Sequence, residues 1–197
     1  MKPTVFFRKF QIEDISHIYE WKNDEQLLKD IVGTFRPISM ADAEKWVKGC
    51  MEGSDKYIFW AICSQETSQI IGWCAIADID RENQSASTHS IVIGDKNYRD
   101  GFAWIESVLQ LFKYTFEDLG LNRLWGKCIS THPMSSKIGP LMFMTREGVL
   151  RQALYKDNKY HDILYDAILK SEYEYHKGNG DYAMNKIIKR LRNLRHE

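Results

Sequence analysis

Apolar and polar residues alternate over a short stretch at the start of the chain and then recur at helical spacing. Thr4 to Phe10 is β-prone, and Glu13 to Lys22 places its apolar residues where an amphipathic helix would bury them. From Met40 onward the apolar residues again follow a helical period. Ser39 stands three residues before Asp42, an imperfect N-cap pattern that predicts the start of this second helix.

The middle of the chain predicts a hairpin, a third strand and one long helix. Residues 57–76 contain two aromatic and β-branched runs separated by a polar segment, which is typical of a β-hairpin. The polar stretch 78–85 predicts a loop, and 87–94 predicts a buried strand. Helical spacing begins at Phe102 and ends at Gly120, a residue type favoured after helix C-termini.

The second half of the chain predicts one strand, a short helix and a final pair of strands. The strand covers 124–129, and the short helix would be interrupted at Gly139-Pro140 because proline lacks an N–H and clashes with the preceding turn. The final strands cover 148–155 and 160–169 and are joined by a turn. This element order predicts an α+β fold with a mixed, mostly antiparallel twisted sheet flanked by helices.

The last segment of the chain differs in character from the rest. We divide the chain into a main domain over 1–175 and a basic amphipathic C-terminal helix over 176–197, with a flexible break at 176–180. Two interpretations of this helix stay open. It packs on its own domain or on a second subunit, or it binds an acidic partner or a membrane surface.

Charge balance narrows the classes of partner. The 197 residues contain 27 Lys and Arg and 27 Asp and Glu, so the formal net charge is zero, which argues against general nucleic-acid binding. The charge is unevenly distributed along the chain, because the residues after His176 include six basic and two acidic ones. Residues 1–176 therefore carry a net charge of about −4, which suits a cationic ligand.

The apolar segments, the N-terminal stretch and the cysteine spacing together predict a cytoplasmic protein. No run approaches the ~20 apolar residues that cross a bilayer, and the start lacks the pattern of a signal peptide. None of the four cysteines, at 50, 63, 74 and 128, forms a C-x-x-C pair, so we expect reduced core thiols and no metal site.

Several stretches of the chain resemble a known family. They include Ile91 to Arg99, Phe116 to Leu124 and Glu147 to Asp162. Over about residues 4 to 174 the sequence resembles the GNAT N-acetyltransferases, in the branch similar to ribosomal-protein alanine N-acetyltransferases. The resemblance implies a GNAT-like fold, acetyl-CoA as the co-substrate, no metal, and a primary amine on a small molecule or a protein N-terminus as the acceptor.

The resemblance also implies which residues contact acetyl-CoA. A bulge in the strand over 87–94 would expose backbone groups of Ile91, Val92 and Ile93 to the pantetheine arm. The following turn and helix start would bind the pyrophosphate, because free N–H groups at a helix N-terminus favour an anion. The residues of this turn are Arg99, Asp100, Gly101, Phe102 and Ala103.

Two registers of that turn stay open. With Arg99 as its first residue, Phe102 and Trp104 fall on the family's two small positions. With the preceding Tyr98 first, Gly101 and Ala103 fall there, but the helix is displaced by one residue. In either register Asp100 places a carboxylate beside a site for two phosphate charges, which is unfavourable.

The catalytic groups follow from the resemblance less directly. The tyrosine that protonates the thiolate in many members would fall at Gly139, so Ser135 is the expected acid, with Ser136 as the alternative. His89 is the expected base, or else a water near the acidic loop after the hairpin; alternatively His89 is a strand residue bonded to backbone. His132 either replaces a cofactor-contacting Asn or is a polar loop residue.

Two classes of function stay in view. The first is an acetyl-CoA-dependent N-acetyltransferase, for which a homodimer is an open option. The second is a GNAT-fold protein that no longer transfers acetyl groups and serves as a binding or scaffold module, because the two cofactor-facing stretches depart from the family pattern.

Overall fold

A seven-stranded sheet forms the centre of the molecule. The computed structural model describes residues 4–132 and 134–194, without the side chains of Ser135, Ser136 and Leu194. The spatial order is β1-β2-β3-β4-β5-β7-β6, and β4 pairs with β5 in parallel while the other neighbours are antiparallel. The strands are β1 (Val5–Arg8), β2 (Ile58–Ser64), β3 (Ile70–Asp80), β4 (Ser85–Ile93), β5 (Arg123–Ile129), β6 (Thr145–Lys156) and β7 (Lys159–Leu169).

Helices cover both faces of this sheet. They are α1 (Ile15–Lys22), α2 (Glu25–Leu28), α3 (Met40–Glu52), α4 (Phe102–Lys113), α5 (Ser135–Leu141), α6 (Lys170–Gly178) and α7 (Met184–Leu194). This arrangement confirms the predicted α+β class with a mostly antiparallel sheet. No helix in the described part of the chain is long and apolar enough to cross a membrane.

Two hydrophobic clusters follow from the two faces. Ile18 of α1 and Val47 of α3 are fully buried against one face, together with Trp73 of β3. On the other face, Phe112 of α4 packs with Leu124 of β5, and both side chains are fully buried. The alternation of side chains along the strands therefore supplies both layers of the core.

The predicted start of α3 is confirmed in detail. The Ser39 hydroxyl accepts a hydrogen bond from the Asp42 N–H at 3.1 Å, and the Asp42 carboxylate accepts one from the Ser39 N–H at 2.9 Å. This reciprocal pair satisfies donors that have no partner inside the helix. The helix ends at Gly53, whose φ of +66° favours glycine.

The predicted loop over 78–85 begins three residues too early. Strand β3 continues to Asp80, which pairs with Ser85 after an irregularity between Ala77 and Asp80. Asp78 has a φ of +50°, and its carboxylate accepts a hydrogen bond from the Ser87 hydroxyl at 2.8 Å. The polar residues that suggested a loop thus belong to a bulged strand end.

The expected interruption of the short helix is wrong. Gly139 and Pro140 lie inside α5. Pro140 falls where the chain already leaves the helix, because the Met142 and Met144 N–H groups both donate to the Gly139 carbonyl, at 3.0 and 2.8 Å. The absent proline N–H therefore removes little from so short a helix.

The predicted break near the C-terminus lies later than expected. Helix α6 continues through Gly178, and the chain turns at 179–183 before α7. His176 holds this turn, because its Nδ1 lies 2.9 Å from the Asp181 carboxylate. Helix α7 packs on its own domain, with Ile187 fully buried and the Arg190 guanidinium 4.2 Å from the centre of the Phe143 ring.

Candidate active site

The sheet opens at a gap between β4 and β5. The parallel ladder joins Ser85–Thr88 to Arg123–Gly126, and within the described residues it extends no further. Beyond this point the strands diverge around a cavity of about 340 Å³. Ile91 and Lys127 line it from the two strands, and Ile138 of α5 lines it from above. A gap of this kind leaves strand backbone groups available to a ligand.

A bulge in β4 lies at the start of the gap. Ile76 pairs with Thr88 and Ala75 pairs with Ser90, so His89 is an extra residue without a partner on β3. This is the bulge that the resemblance implied for this strand. Bulges redirect side chains and are over-represented beside active sites. The exposed His89 ring lines the cavity and makes an edge contact with Phe59, the ring centres being 6.4 Å apart.

The three isoleucine and valine positions after the bulge differ in their surroundings. Ile91 and Val92 line the cavity, while the Ile93 side chain is buried in the core cluster beneath α4. Any contact of Ile93 with a ligand would thus be made through its backbone. Its carbonyl oxygen already accepts a hydrogen bond from Arg99 Nε at 3.1 Å.

Arg99 folds back onto the end of β4. Besides its bond to Ile93, its guanidinium donates to the Gly94 carbonyl and lies 3.7 Å from the Asp24 carboxylate. The side chain therefore satisfies carbonyls at the strand end. It also links β4 to the segment between α1 and α2.

The start of α4 distinguishes the two registers of the turn. Gly101 has a φ of +98°, a conformation that favours glycine, and the helix begins at Phe102. Ala103 is buried, whereas Trp104 lines the cavity. These positions favour the register that places Gly101 and Ala103 on the small positions.

The one-residue displacement of that register has a structural counterpart at the other end of the helix. Tyr114–Asp118 forms a π-helical turn between α4 and Gly120. A π-turn takes in one more residue than an α-turn, so it can absorb the extra residue before the chain enters β5.

Asp100 occupies the N-terminus of α4. One oxygen of its exposed carboxylate accepts a hydrogen bond from the Phe102 N–H at 2.9 Å. This N–H is one of the donors that a helix leaves unpaired at its start. The chain's own carboxylate thus holds a position where a phosphate oxygen would bind.

His132 lines the cavity near α5, and a hydrogen bond from the backbone fixes its ring. Its Nδ1 accepts a hydrogen bond from the Met134 N–H at 3.0 Å, which assigns the proton of the neutral ring to Nε2. Burial lowers the pKa of His132 below its ordinary value, against an opposing effect of Asp30. The ring is therefore a neutral hydrogen-bond donor, as a side-chain amide would be.

Ser135 is the first residue of α5, and its side chain lies outside the described part of the chain. The backbone of α5 places Ile138 and the adjoining Met142 in the cavity wall. The role of Ser135 as the acid stays a prediction.

Sequence reasoning missed a carboxylate in the cavity wall. Asp166 of β7 is buried, lines the cavity and forms an ion pair with Arg146 of β6. The pairing raises the pKa of Arg146. The available signal was an acid at an inward position of an apolar strand, between the buried Leu164 and Ile168.

Comparison with known proteins gives the same class as the geometry. The family described as acetyltransferase (GNAT) domain matches residues 4–139. An uncharacterized N-acetyltransferase p20 of Bacillus licheniformis is 28% identical over 169 residues, covering 84% of this chain and 93% of that protein. The uncharacterized N-acetyltransferase YnaD of Bacillus subtilis is 24% identical over 174 residues, covering 86% and 95%.

Solved structures share the fold at low identity. The spermidine N-acetyltransferase of Vibrio cholerae, in complex with CoA and spermine, superposes with a TM-score of 0.77 at 16% identity, covering 87% of this chain and 98% of that one. A GNAT acetyltransferase of Bacillus anthracis gives 0.72 at 21% identity, covering 86% and 97%.

The strand gap, the bulge at its start and the matched domain define one class of protein: the chain belongs to the GNAT acetyltransferases. The predicted fold and the N-acetyltransferase class are confirmed at this level. The narrower resemblance to ribosomal-protein alanine N-acetyltransferases stays a prediction.

Proposed function

We propose that the chain transfers an acetyl group from acetyl-CoA to a primary amine. The observation that carries this proposal is the gap between β4 and β5, with a bulge at His89 and a cavity of about 340 Å³. A structure of the same fold holds CoA and spermine, which supports both the donor and an amine acceptor.

The residues of the gap fit a thioester donor. The β4 backbone beyond Thr88 has no pairing partner on β5 within the described residues, so N–H and C=O groups on that side can bind the amides of a pantetheine arm. Gly101 and the N-terminus of α4 can bind phosphate oxygens, although Asp100 opposes this. Trp104 and Val108 of α4 form an apolar part of the cavity wall, between the proposed sites for the pantetheine arm and the phosphates.

Transfer requires the acceptor ammonium to lose a proton before the free amine attacks the thioester carbonyl carbon. The C–N bond forms, the C–S bond breaks, the nitrogen gives up its second proton to become the amide nitrogen, and the departing thiolate takes a proton to become the CoA thiol. His89 is the proposed proton acceptor, directly or through a water, because its ring lines the cavity and is exposed. Ser135 is the proposed donor to sulfur.

His132 adds a hydrogen bond to this scheme. Its Nε2–H is the free polar group of a ring that lines the cavity, and a neutral donor can stabilise negative charge on the thioester oxygen. This replaces the role of the cofactor-contacting Asn that the resemblance implied.

We place the enzyme in the cytoplasm, as its cysteines suggest. None of Cys50, Cys63, Cys74 and Cys128 forms a disulfide bond within the described residues. Burial raises the pKa of Cys50 to about 12 and raises that of Cys74 strongly, so both stay protonated and unreactive. A homodimer, and a peptide N-terminus in place of a small amine, are further options that sedimentation and an acceptor screen would decide.

Calorimetric titration with acetyl-CoA, followed by a thiol-release assay against a panel of amines and peptides, tests the proposal. We expect micromolar binding and amine-dependent release of CoA thiol. Failure to bind at millimolar acetyl-CoA would overturn the proposal and favour a GNAT-fold binding or scaffold module. Binding without release for any acceptor would favour the same alternative.

A further inference from the structure

The loop after α2 forms part of the cavity wall. Residues Asp30, Ile31 and Val32 line the cavity opposite the strand gap. This loop has no regular secondary structure, so its position depends on contacts with other parts of the fold. Those contacts decide where the Asp30 carboxylate lies.

A buried lysine from the other end of the sheet holds this loop. Lys156 is the last residue of β6, and its side chain is only 7% exposed. Its Nζ donates to the carbonyl oxygens of Leu28 and Ile31, at 3.4 and 3.2 Å. Burying an ammonium is costly unless it is hydrogen-bonded, and carbonyls at a helix end lack partners within the helix. The two carbonyl oxygens thus accept hydrogen bonds from the buried ammonium, and these bonds hold the loop on both sides of Asp30.

Three acids lie in the segment from α2 to the loop, and their contacts separate them. Asp24 caps α2 by accepting the Leu27 N–H at 3.0 Å and lies 3.7 Å from Arg99. Glu25 is exposed on α2. Asp30 lines the cavity and makes no salt bridge with any residue in 4–132 or 134–194.

The other carboxylate of the cavity is already neutralised. Asp166 is held by Arg146 through two hydrogen bonds. The charge of Asp30 favours protonation of His132, but burial has the larger effect and lowers the pKa of this ring, so His132 stays neutral. Of the two carboxylates that line the cavity, Asp30 is therefore the one that no salt bridge among the described residues holds. The exposed Lys127 of β5 also lines the cavity, but it forms no salt bridge with Asp30 in this part of the chain, and the Lys156 ammonium is bound to carbonyl oxygens.

We infer that Asp30 binds the ammonium group of the acceptor amine, and that Lys156 is the positioning residue that holds its loop at the cavity. Alkyl amines are protonated at neutral pH, and a carboxylate in a partly enclosed cavity attracts them more strongly than one in bulk water. Because this acceptor site belongs to the proposed acetyl transfer, the catalytic part of the inference rests on that function.

Binding of 1,4-diaminobutane, measured by calorimetry with and without CoA, tests the role of Asp30 separately from catalysis. We expect Asp30→Asn to weaken diamine binding at least about 10-fold, as loss of one charge-assisted hydrogen bond predicts, and to leave CoA affinity unchanged. Glu25→Gln is the matched control and should bind both ligands as the wild type does. Unchanged diamine affinity in Asp30→Asn, or no binding to the wild type, would overturn the inference.

Steady-state kinetics test Lys156. Lys156→Met should raise the KM for the amine about 10-fold while the KM for acetyl-CoA stays within about twofold, and Lys156→Arg should restore the amine KM. Equal loss in every kinetic constant, together with a lower melting temperature, would make Lys156 a structural residue only. If the wild type binds the diamine but not acetyl-CoA, the proposed function fails while the binding role of Asp30 stands.

Discussion

The carboxylate of Asp100 accepts a hydrogen bond of 2.9 Å from the backbone N–H of Phe102, the first residue of α4. The same N–H would serve a pyrophosphate oxygen in the proposed donor site. The chain therefore carries an internal competitor for the anion of that proposed site. The competition is between one exposed carboxylate and a more highly charged ligand, so we expect it to lower CoA affinity without preventing binding.

Removing this carboxylate should tighten CoA binding. We expect Asp100→Gly to increase CoA affinity about 2- to 5-fold, the effect of one charge at an exposed helix end, and Asp100→Asn to give a smaller increase because it keeps the capping oxygen. The gain should shrink as salt is raised. Calorimetry at two ionic strengths measures it.

Asp118→Asn is the matched control for that experiment. Asp118 is exposed at the far end of the same helical segment, so its removal changes the net charge equally. Equal gains from Asp118→Asn and Asp100→Gly would mean that the overall charge, and no local competition, limits CoA affinity.

The element order was predictable because most of this fold is specified by local patterns. The Ser39 cap with Asp42 and the spacing of apolar residues in α4 each act within one or two turns. The bulge in β4 was expected only through the resemblance, and the gap between β4 and β5 was not predicted, because strand divergence depends on pairing between segments distant in sequence.

The site itself was less predictable than the fold. The π-turn at Tyr114–Asp118, which lets Gly101 start α4, has no sequence pattern that fixes it. Lys156 and Leu28 are 128 residues apart, and only the folded chain brings them together. His132 was identified as a candidate, but its donor tautomer depends on the bond to Met134.

The protonation of His132 should appear in the pH dependence of acetyl-CoA binding. Burial lowers its pKa from the ordinary value of 6.5, so the folded ring stays neutral to a lower pH than the unfolded one. The unfolded chain then binds more protons as pH falls below about 6.5, and the stability contributed by His132 is lost there. Nε2–H is a donor in both protonation states, but protonation of Nδ1 breaks the bond to Met134.

We therefore expect acetyl-CoA affinity to hold down to a pH below 6.5 and then to fall, and His132→Asn to remove this pH dependence. Calorimetry at several pH values measures the affinity. NMR titration of the ring measures its pKa directly. A ring that titrates at or above its ordinary value would contradict the assigned hydrogen bond.

Gly139 should tolerate no larger side chain. A Cβ at this position would lie 2.8 Å from an Asp166 carboxylate oxygen, and Asp166 is fixed by Arg146. We expect Gly139→Ala to lower the free energy of unfolding by about 1–3 kcal/mol through overpacking. Urea unfolding measures the change.

The matched control is Gly49→Ala in α3, where an added Cβ would meet nothing within 4 Å. Here alanine should raise stability by about 0.5–1 kcal/mol, because glycine is unfavourable inside a helix. Similar losses in both variants would show that contact with Asp166 is not the cause.

The packing of α7 on its own domain gives the last prediction. Ile187 is fully buried in the core cluster that also contains Leu141 of α5, whereas Lys189 on the same helix is exposed. Ile187→Ala should lower the free energy of unfolding by about 2–4 kcal/mol, the usual cost of a core truncation, and Lys189→Ala should change it by less than about 0.5 kcal/mol. Because α5 lines the cavity through Ile138, loss of this support should also raise the KM for acetyl-CoA. Wild-type stability in Ile187→Ala at every protein concentration would mean that α7 is not part of the folded domain.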